Sequence, residues 1–111
     1  MADMTLRQKQ SAFAKALGKL LVYAYTIPGV ELTMGEGHVD NNISHMKGSL
    51  HEKRLAQDIN LFVDGEWIEV GHPVWIQLGS FWKGHHHLAR WGGDFMAPDG
   101  NHFSFEHEGV R

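Results

Sequence analysis

Residues 58–70, which read DINLFVDGEWIEV, decide the fold of this chain. From 58 to 63 every second residue is apolar, beginning with Ile59, and this period of two is typical of a strand with one face in a core. Asp64-Gly65 is a strong signal for a two-residue hairpin turn, and residues 67–70 can form the returning strand. The stretch therefore predicts an antiparallel β-hairpin.

Segments on both sides of the hairpin carry helical or strand periods. The first of them begins with Thr5 and Gln8, which are spaced as in a capping box. The predicted elements are an amphipathic helix over 5–26, a strand over 30–34, a short helix over 73–82 and an alternating strand over 102–106. We therefore predict an α+β fold, a small antiparallel sheet with an N-terminal helix and short additional helices, in one domain covering residues 1–111.

Composition excludes several classes of protein. The formal net charge of −3 offers no general attraction for nucleic acid or for an anionic membrane surface. No run of 18 apolar residues occurs, so stable membrane insertion is not expected. The first residues lack the pattern of a secretory signal, which predicts synthesis in the cytoplasm. The chain has no Cys, so a transition metal would have to be held by histidines and carboxylates.

Three residues offer such a ligand set: His51, Asp58 and His102. Asp58 and His102 each begin the polar side of an alternating strand, and they would project from one face if those strands were neighbours in suitable register. Two histidines and one carboxylate leave the fourth tetrahedral position of a catalytic zinc ion open for water. Spacing alone does not settle this, because such pairs are common and Asp99, the nearby acid, lies in an ordinary turn sequence.

Motifs in the last two thirds of the chain resemble a known family. They are Ser49-x-His51-x(4)-Ala56-x-Asp58, Trp91-Gly92-Gly93-Asp94-Phe95 and Asp99-x-x-His102-Phe103. Together they resemble the zinc peptidases of the D-alanyl-D-alanine carboxypeptidase and L-alanyl-D-glutamate endopeptidase group. These belong to the hedgehog/DD-peptidase superfamily and include phage endolysins.

The resemblance implies a role for each matching residue. His51, Asp58 and His102 would bind Zn²⁺, and Asp99 would be the catalytic acid/base that takes a proton from the metal-activated water. Ser49 would contact a ligand or the substrate. We further interpret Asp94 as a possible hydrogen-bond partner of a ligand histidine.

The resemblance also implies a substrate and a setting. The substrate would be the stem peptides of bacterial peptidoglycan. The chain would be a monomer that stays in the host cytoplasm until a holin-type pore gives it access to the periplasm or cell wall at lysis. Two alternatives remain open: a non-enzymatic, hedgehog-like zinc-binding module, and a cell-wall amidase that cuts between sugar and peptide.

Arg54 is the main departure from the family pattern, which commonly has glycine three residues after the first histidine. One interpretation places Arg54 in the cleft, where its guanidinium holds a substrate carboxylate or the developing oxyanion. The other makes it a surface arginine in a reshaped turn. The family often has an upstream arginine as well, and residues 35–38 supply none.

Overall fold

Two α-helices and five β-strands form the part of the chain that the computed structural model describes, residues 4–35, 50–96 and 98–111. The order of elements is α1 (Leu6–Ala24), β1 (Val30–Met34), β2 (Ala56–Val63), β3 (Glu66–Trp67), α2 (Pro73–Lys83), β4 (Ala89–Trp91), a 3₁₀ turn (Gly92–Asp94) and β5 (His102–Phe105). All strand pairs are antiparallel, which confirms the predicted α+β class.

Strand β2 organises the sheet, whose main order is β1-β2-β5-β4. One edge of β2 pairs with all five residues of β1, from Val30 opposite Val63 to Met34 opposite Ile59. The other edge is shared, because the first residues of β2 pair with β5 and the last two pair with β3. The eight residues of β2 are therefore the structural link between the hairpin and the rest of the sheet.

The hairpin is confirmed, although its second strand is shorter than predicted. Asp64 and Gly65 both have positive φ, 52° and 83°, as the two central residues of a type I′ turn require. Strand β3 contains only Glu66 and Trp67, rather than residues 67–70. After the Ile68 N–H bonds to the Leu61 carbonyl at 2.9 Å, the chain leaves the sheet towards α2.

The two helices cover one face of the sheet. Helix α1 begins at the predicted capping box, and α2 buries the predicted stripe of Trp75, Leu78, Gly79 and Trp82. Phe105 of β5 makes edge-on or tilted ring contacts with Phe13 at 5.4 Å and with Trp82 at 5.6 Å. Such pairs contribute about 0.5–1.5 kcal/mol each beyond their burial. Neither helix is long and apolar enough to cross a membrane, within the described ranges.

The face of β5 opposite these aromatic rings carries His102 and Ser104, because side chains alternate along a strand. Both are buried, and the rings of His51 and Phe95 lie against that of His102. Strand β4 was not predicted: its three residues, Ala-Arg-Trp, are too few to show a period. It matters for the site because it encloses β5 from the second side.

Candidate metal centre

The register between β2 and β5 places Asp58 directly opposite His102. His102 Nδ1 lies 3.1 Å from Asp58 Oδ1, and only 7% of each residue's surface is exposed. The sequence predicted that both side chains could share a face, and the register shows that they do. A shift of one residue would have sent one of them to the helix-covered face.

His51 reaches the same place from a tight turn ahead of β2. The Leu55 N–H donates to the Leu50 carbonyl at 2.8 Å, and the Arg54 N–H donates to the His51 carbonyl at 3.2 Å. This pair of bonds is that of a Schellman motif, in which Arg54 takes the left-handed position with φ of 59°. Because Leu50 and Leu55 are both buried in the core, the turn is anchored at each end.

The turn brings His51 Nε2 to 3.4 Å from Asp58 Oδ1. The rings of His51 and His102 are 5.1 Å apart at an angle of 72°, and one ligand atom from each of the three residues lies within 4.8 Å of the others. This group of three, here called the His-Asp-His cluster, could hold a metal ion. In the described residues no other group of three or more histidine, aspartate or glutamate side chains meets that criterion.

Electrostatics in the cluster favour an ionised carboxylate. Burial raises the pKa of Asp58, but hydrogen bonds from His102 and His51, together with their charges, outweigh burial and lower that pKa to about 2. Nε2 of His102 is buried with no hydrogen-bond partner among the described residues. The ionised carboxylate of Asp58, with one nitrogen of each imidazole close to its Oδ1, is a suitable environment for a cation.

A short loop before β5 fixes the backbone of His102. The Asp99 N–H donates to the Gly92 carbonyl at 2.8 Å, and the His102 N–H donates to the Asp99 carbonyl at 3.0 Å. A Cβ on Gly92 would lie 2.0 Å from the backbone carbonyl oxygen of Asp99 and 2.9 Å from the His102 Cβ. Only glycine therefore lets the loop backbone come this close to residue 92. The indole N–H of Trp91 donates to the Gly100 carbonyl at 2.7 Å. The Trp91-Gly92 part of the motif therefore supports the cluster by packing.

The remaining predicted site residues lie around the cluster or outside the described part. Asp99 is exposed in the loop before β5, and its carboxylate is not one of the three grouped ligand atoms. Asp94 forms an ion pair with Lys83, at 2.7 Å, on the surface. Ser49 falls outside the described residues.

Arg54 is exposed, and its backbone takes a left-handed conformation that favours glycine. Glycine adopts positive φ without the Cβ clash that costs other residues about 1–2 kcal/mol.

We therefore expect the Arg54→Gly variant to be more stable than the Arg54→Ala variant by about 1 kcal/mol, which is the reverse of the usual order for these residues. Urea unfolding of both variants, with equal m-values as a check, measures the difference. A higher stability for the alanine variant would contradict the left-handed assignment.

Two residues beside the cluster were not predicted to act together. The Phe95 ring lies 5.7 Å from the His102 ring, and the Arg111 guanidinium lies over Phe95 at 4.8 Å from the ring centre. The sequence indicated Phe95 only as part of a core or cleft wall, and no motif or period includes Arg111. Only the folded chain brings Arg111 near His102.

Comparison of the chain with protein-family models and with curated protein sequences finds no match.

Proposed function

We propose that this protein is a zinc-dependent peptidase of the endolysin type, with a hedgehog/DD-peptidase-like fold, that cleaves the stem peptides of bacterial peptidoglycan. The observation that carries the proposal is the convergence of His51, Asp58 and His102 at one point of the sheet. The motifs around these residues resemble those of the zinc peptidases named in the sequence analysis, and this resemblance supplies the substrate class.

The chemistry of the cluster and its two short contacts support zinc as the bound ion. A tetrahedral zinc ion with bonds of about 2.0–2.1 Å holds neighbouring ligand atoms about 3.3 Å apart. The two measured contacts to Asp58 Oδ1 are 3.1 Å from His102 and 3.4 Å from His51. Two imidazoles and one carboxylate, without thiolate, form the kind of set found in catalytic rather than structural zinc sites. His51 is partly exposed, so substrate can approach from its side.

When bound there, zinc would supply a Lewis acid that polarises the scissile carbonyl and activates water. The chain's own contribution beyond binding is proton transfer, for which Asp99 is the proposed base. Water adds to the carbonyl carbon as its proton passes to the Asp99 carboxylate, and the same proton then goes to the leaving amine as the C–N bond breaks. Because the Asp99 carbonyl accepts the His102 N–H bond, base and ligand belong to one hydrogen-bonded loop.

The test is digestion of purified peptidoglycan, with and without a chelator, followed by mass spectrometry of the products. We expect new peptide termini within the stem, absent after chelation. The Asp99→Asn variant should lose roughly 10²–10⁴-fold in rate, the usual contribution of a general acid-base group, while still binding zinc. The matched control is Asp64→Asn, in the hairpin turn.

Each other outcome supports a different function. Zinc binding without hydrolysis of any wall bond would support a non-enzymatic metal-binding module. Release of intact stem peptides from the sugar would support an amidase. An Asp99→Asn variant as active as wild type would refute the role given to this carboxylate.

The same proposal includes the oligomeric state and the localisation of the protein. The chain would act as a monomer and would reach the wall from the host cytoplasm through a holin-type pore at lysis.

A further inference from the structure

We propose that Arg111 and Phe95 form a carboxylate-binding subsite beside the His-Asp-His cluster. The subsite would favour peptides that carry a free carboxylate close to the cleaved bond. This inference rests on the proposed function for its substrate, and on the following contacts for its location.

Phe95 is the platform of the subsite. It follows the 3₁₀ turn, and its ring lies 5.7 Å from that of His102, tilted by 55°. The guanidinium of Arg111 lies over the same ring, 4.8 Å from its centre. A cation–π contact of this kind restrains the guanidinium plane and leaves its N–H groups available in the fork that matches a carboxylate.

The backbone after β5 delivers Arg111 to this position. His107 and Val110 exchange two hydrogen bonds, each 2.9 Å long, and form an isolated antiparallel bridge. Between them Glu108 and Gly109 have φ of 49° and 80°, as in a type I′ turn. The chain therefore reverses after β5 and places Arg111 beside the loop that carries Phe95.

Among the described residues, Arg111 differs from Lys83 and Arg90 in forming no ion pair with a carboxylate. Lys83 pairs with Asp94 at 2.7 Å, and Arg90 pairs with Glu106 at 3.3 Å. Over residues 4–35, 50–96 and 98–111, no carboxylate forms an ion pair with Arg111. A divalent ion on two neutral imidazoles and one carboxylate would add net positive charge nearby, which further favours an anion.

The distances limit which carboxylate can be recognised. Two ring contacts, of 4.8 and 5.7 Å, connect the guanidinium to the ligand His102. An extended peptide advances about 3.3–3.6 Å per residue, so that span corresponds to no more than about three residues. The recognised group is therefore a carboxylate of the cleaved peptide itself. Peptidoglycan stem peptides carry free α-carboxylates on their γ-linked residues, which is the chemistry required.

The experiment compares two synthetic stem peptides that differ only in one group, a γ-linked glutamate with a free α-carboxylate or with the carboxamide. Binding is measured by calorimetry on zinc-loaded Asp99→Asn protein, and kcat and KM are measured on active protein. We expect the acid to bind about 10–100-fold more tightly than the amide, in keeping with hydrogen bonds to a charged group. The additional Arg111→Gln change should remove this preference, while Arg111→Lys retains part of it.

The control is Arg7→Gln, an exposed arginine on α1. This helix packs through Phe13 on Phe105, on the face of β5 opposite His102, so the change should leave the preference unchanged. Equal binding of acid and amide by the Arg111-containing protein would overturn the proposal. So would an Arg111→Gln change that weakens both peptides alike. Because binding is read without hydrolysis, a failed peptidase proposal and a failed subsite give different results.

Discussion

Replacing Gly79 with alanine is expected to lower the free energy of unfolding by about 3 kcal/mol, the upper part of the range for overpacked cores. Gly79 lies on the buried stripe of α2, and an added Cβ would be 2.2 Å from Cδ2 of Trp91. The indole cannot easily move away, because its N–H is bonded to the Gly100 carbonyl and Gly93 lies close to its six-membered ring. Urea unfolding measures the effect.

The matched control is Gly18→Ala, which adds the same methyl group inside the other helix. A Cβ on Gly18 meets nothing within 4 Å, so this change should raise stability by about 0.5–1 kcal/mol, the difference in helix propensity. Similar effects of the two changes would show that the Trp91 contact does not limit this position.

The second large effect is expected for Asp58→Asn, which should weaken zinc binding by at least about 100-fold. Loss of a residue that only hydrogen-bonds to a metal ligand costs about 10–100-fold, and loss of a ligand should cost more. Asp58 provides the only carboxylate of the His-Asp-His cluster, and both histidines contact its Oδ1. Competition with a chromophoric chelator measures the affinity. Asp64→Asn is the control, since asparagine is favoured at its positive-φ turn position. Unchanged affinity in Asp58→Asn would exclude this cluster as the metal site.

The same variant should change the acid stability of the metal-free protein. The folded-state pKa of Asp58, about 2, lies below its ordinary value of 3.8, so its ionisation stabilises the fold above about pH 4. This contribution, about 2 kcal/mol, should be lost as the pH falls from about 4 to 2. Asp58→Asn should lack that part of the acid transition, and an identical pH profile would contradict the pKa assignment.

Local sequence patterns predicted the elements whose determinants lie within a few residues. The Thr5–Gln8 capping box, the buried stripe of α2 and the Asp64-Gly65 turn are all present in the structure. Strand β4 was missed and β3 was predicted too long, because short strands depend on pairing with distant residues more than on their own period.

The candidate site also has a part that local sequence predicted and a part that it did not. The ligand residues could be named from the sequence because residue type and strand face are local properties. The sequence could not show that the three side chains meet. Their meeting requires Asp58 to pair with His102, 44 positions away, and His51 to be held by a Schellman turn. The ion pair of Asp94 with Lys83 and the position of Arg111 over Phe95 also depend on such distant packing.

The sequence by itself therefore determined the α+β class, the hairpin, the helix boundaries within a few residues and a ligand set free of thiolate. Tertiary structure alone decided the register that joins the cluster and the loop that orients His102. It also decided the position of the Arg111 guanidinium beside the cluster. The physical reason is that hydrogen-bonded turns and side-chain periods are set by neighbours in sequence, whereas register and site geometry are set by core packing between distant segments.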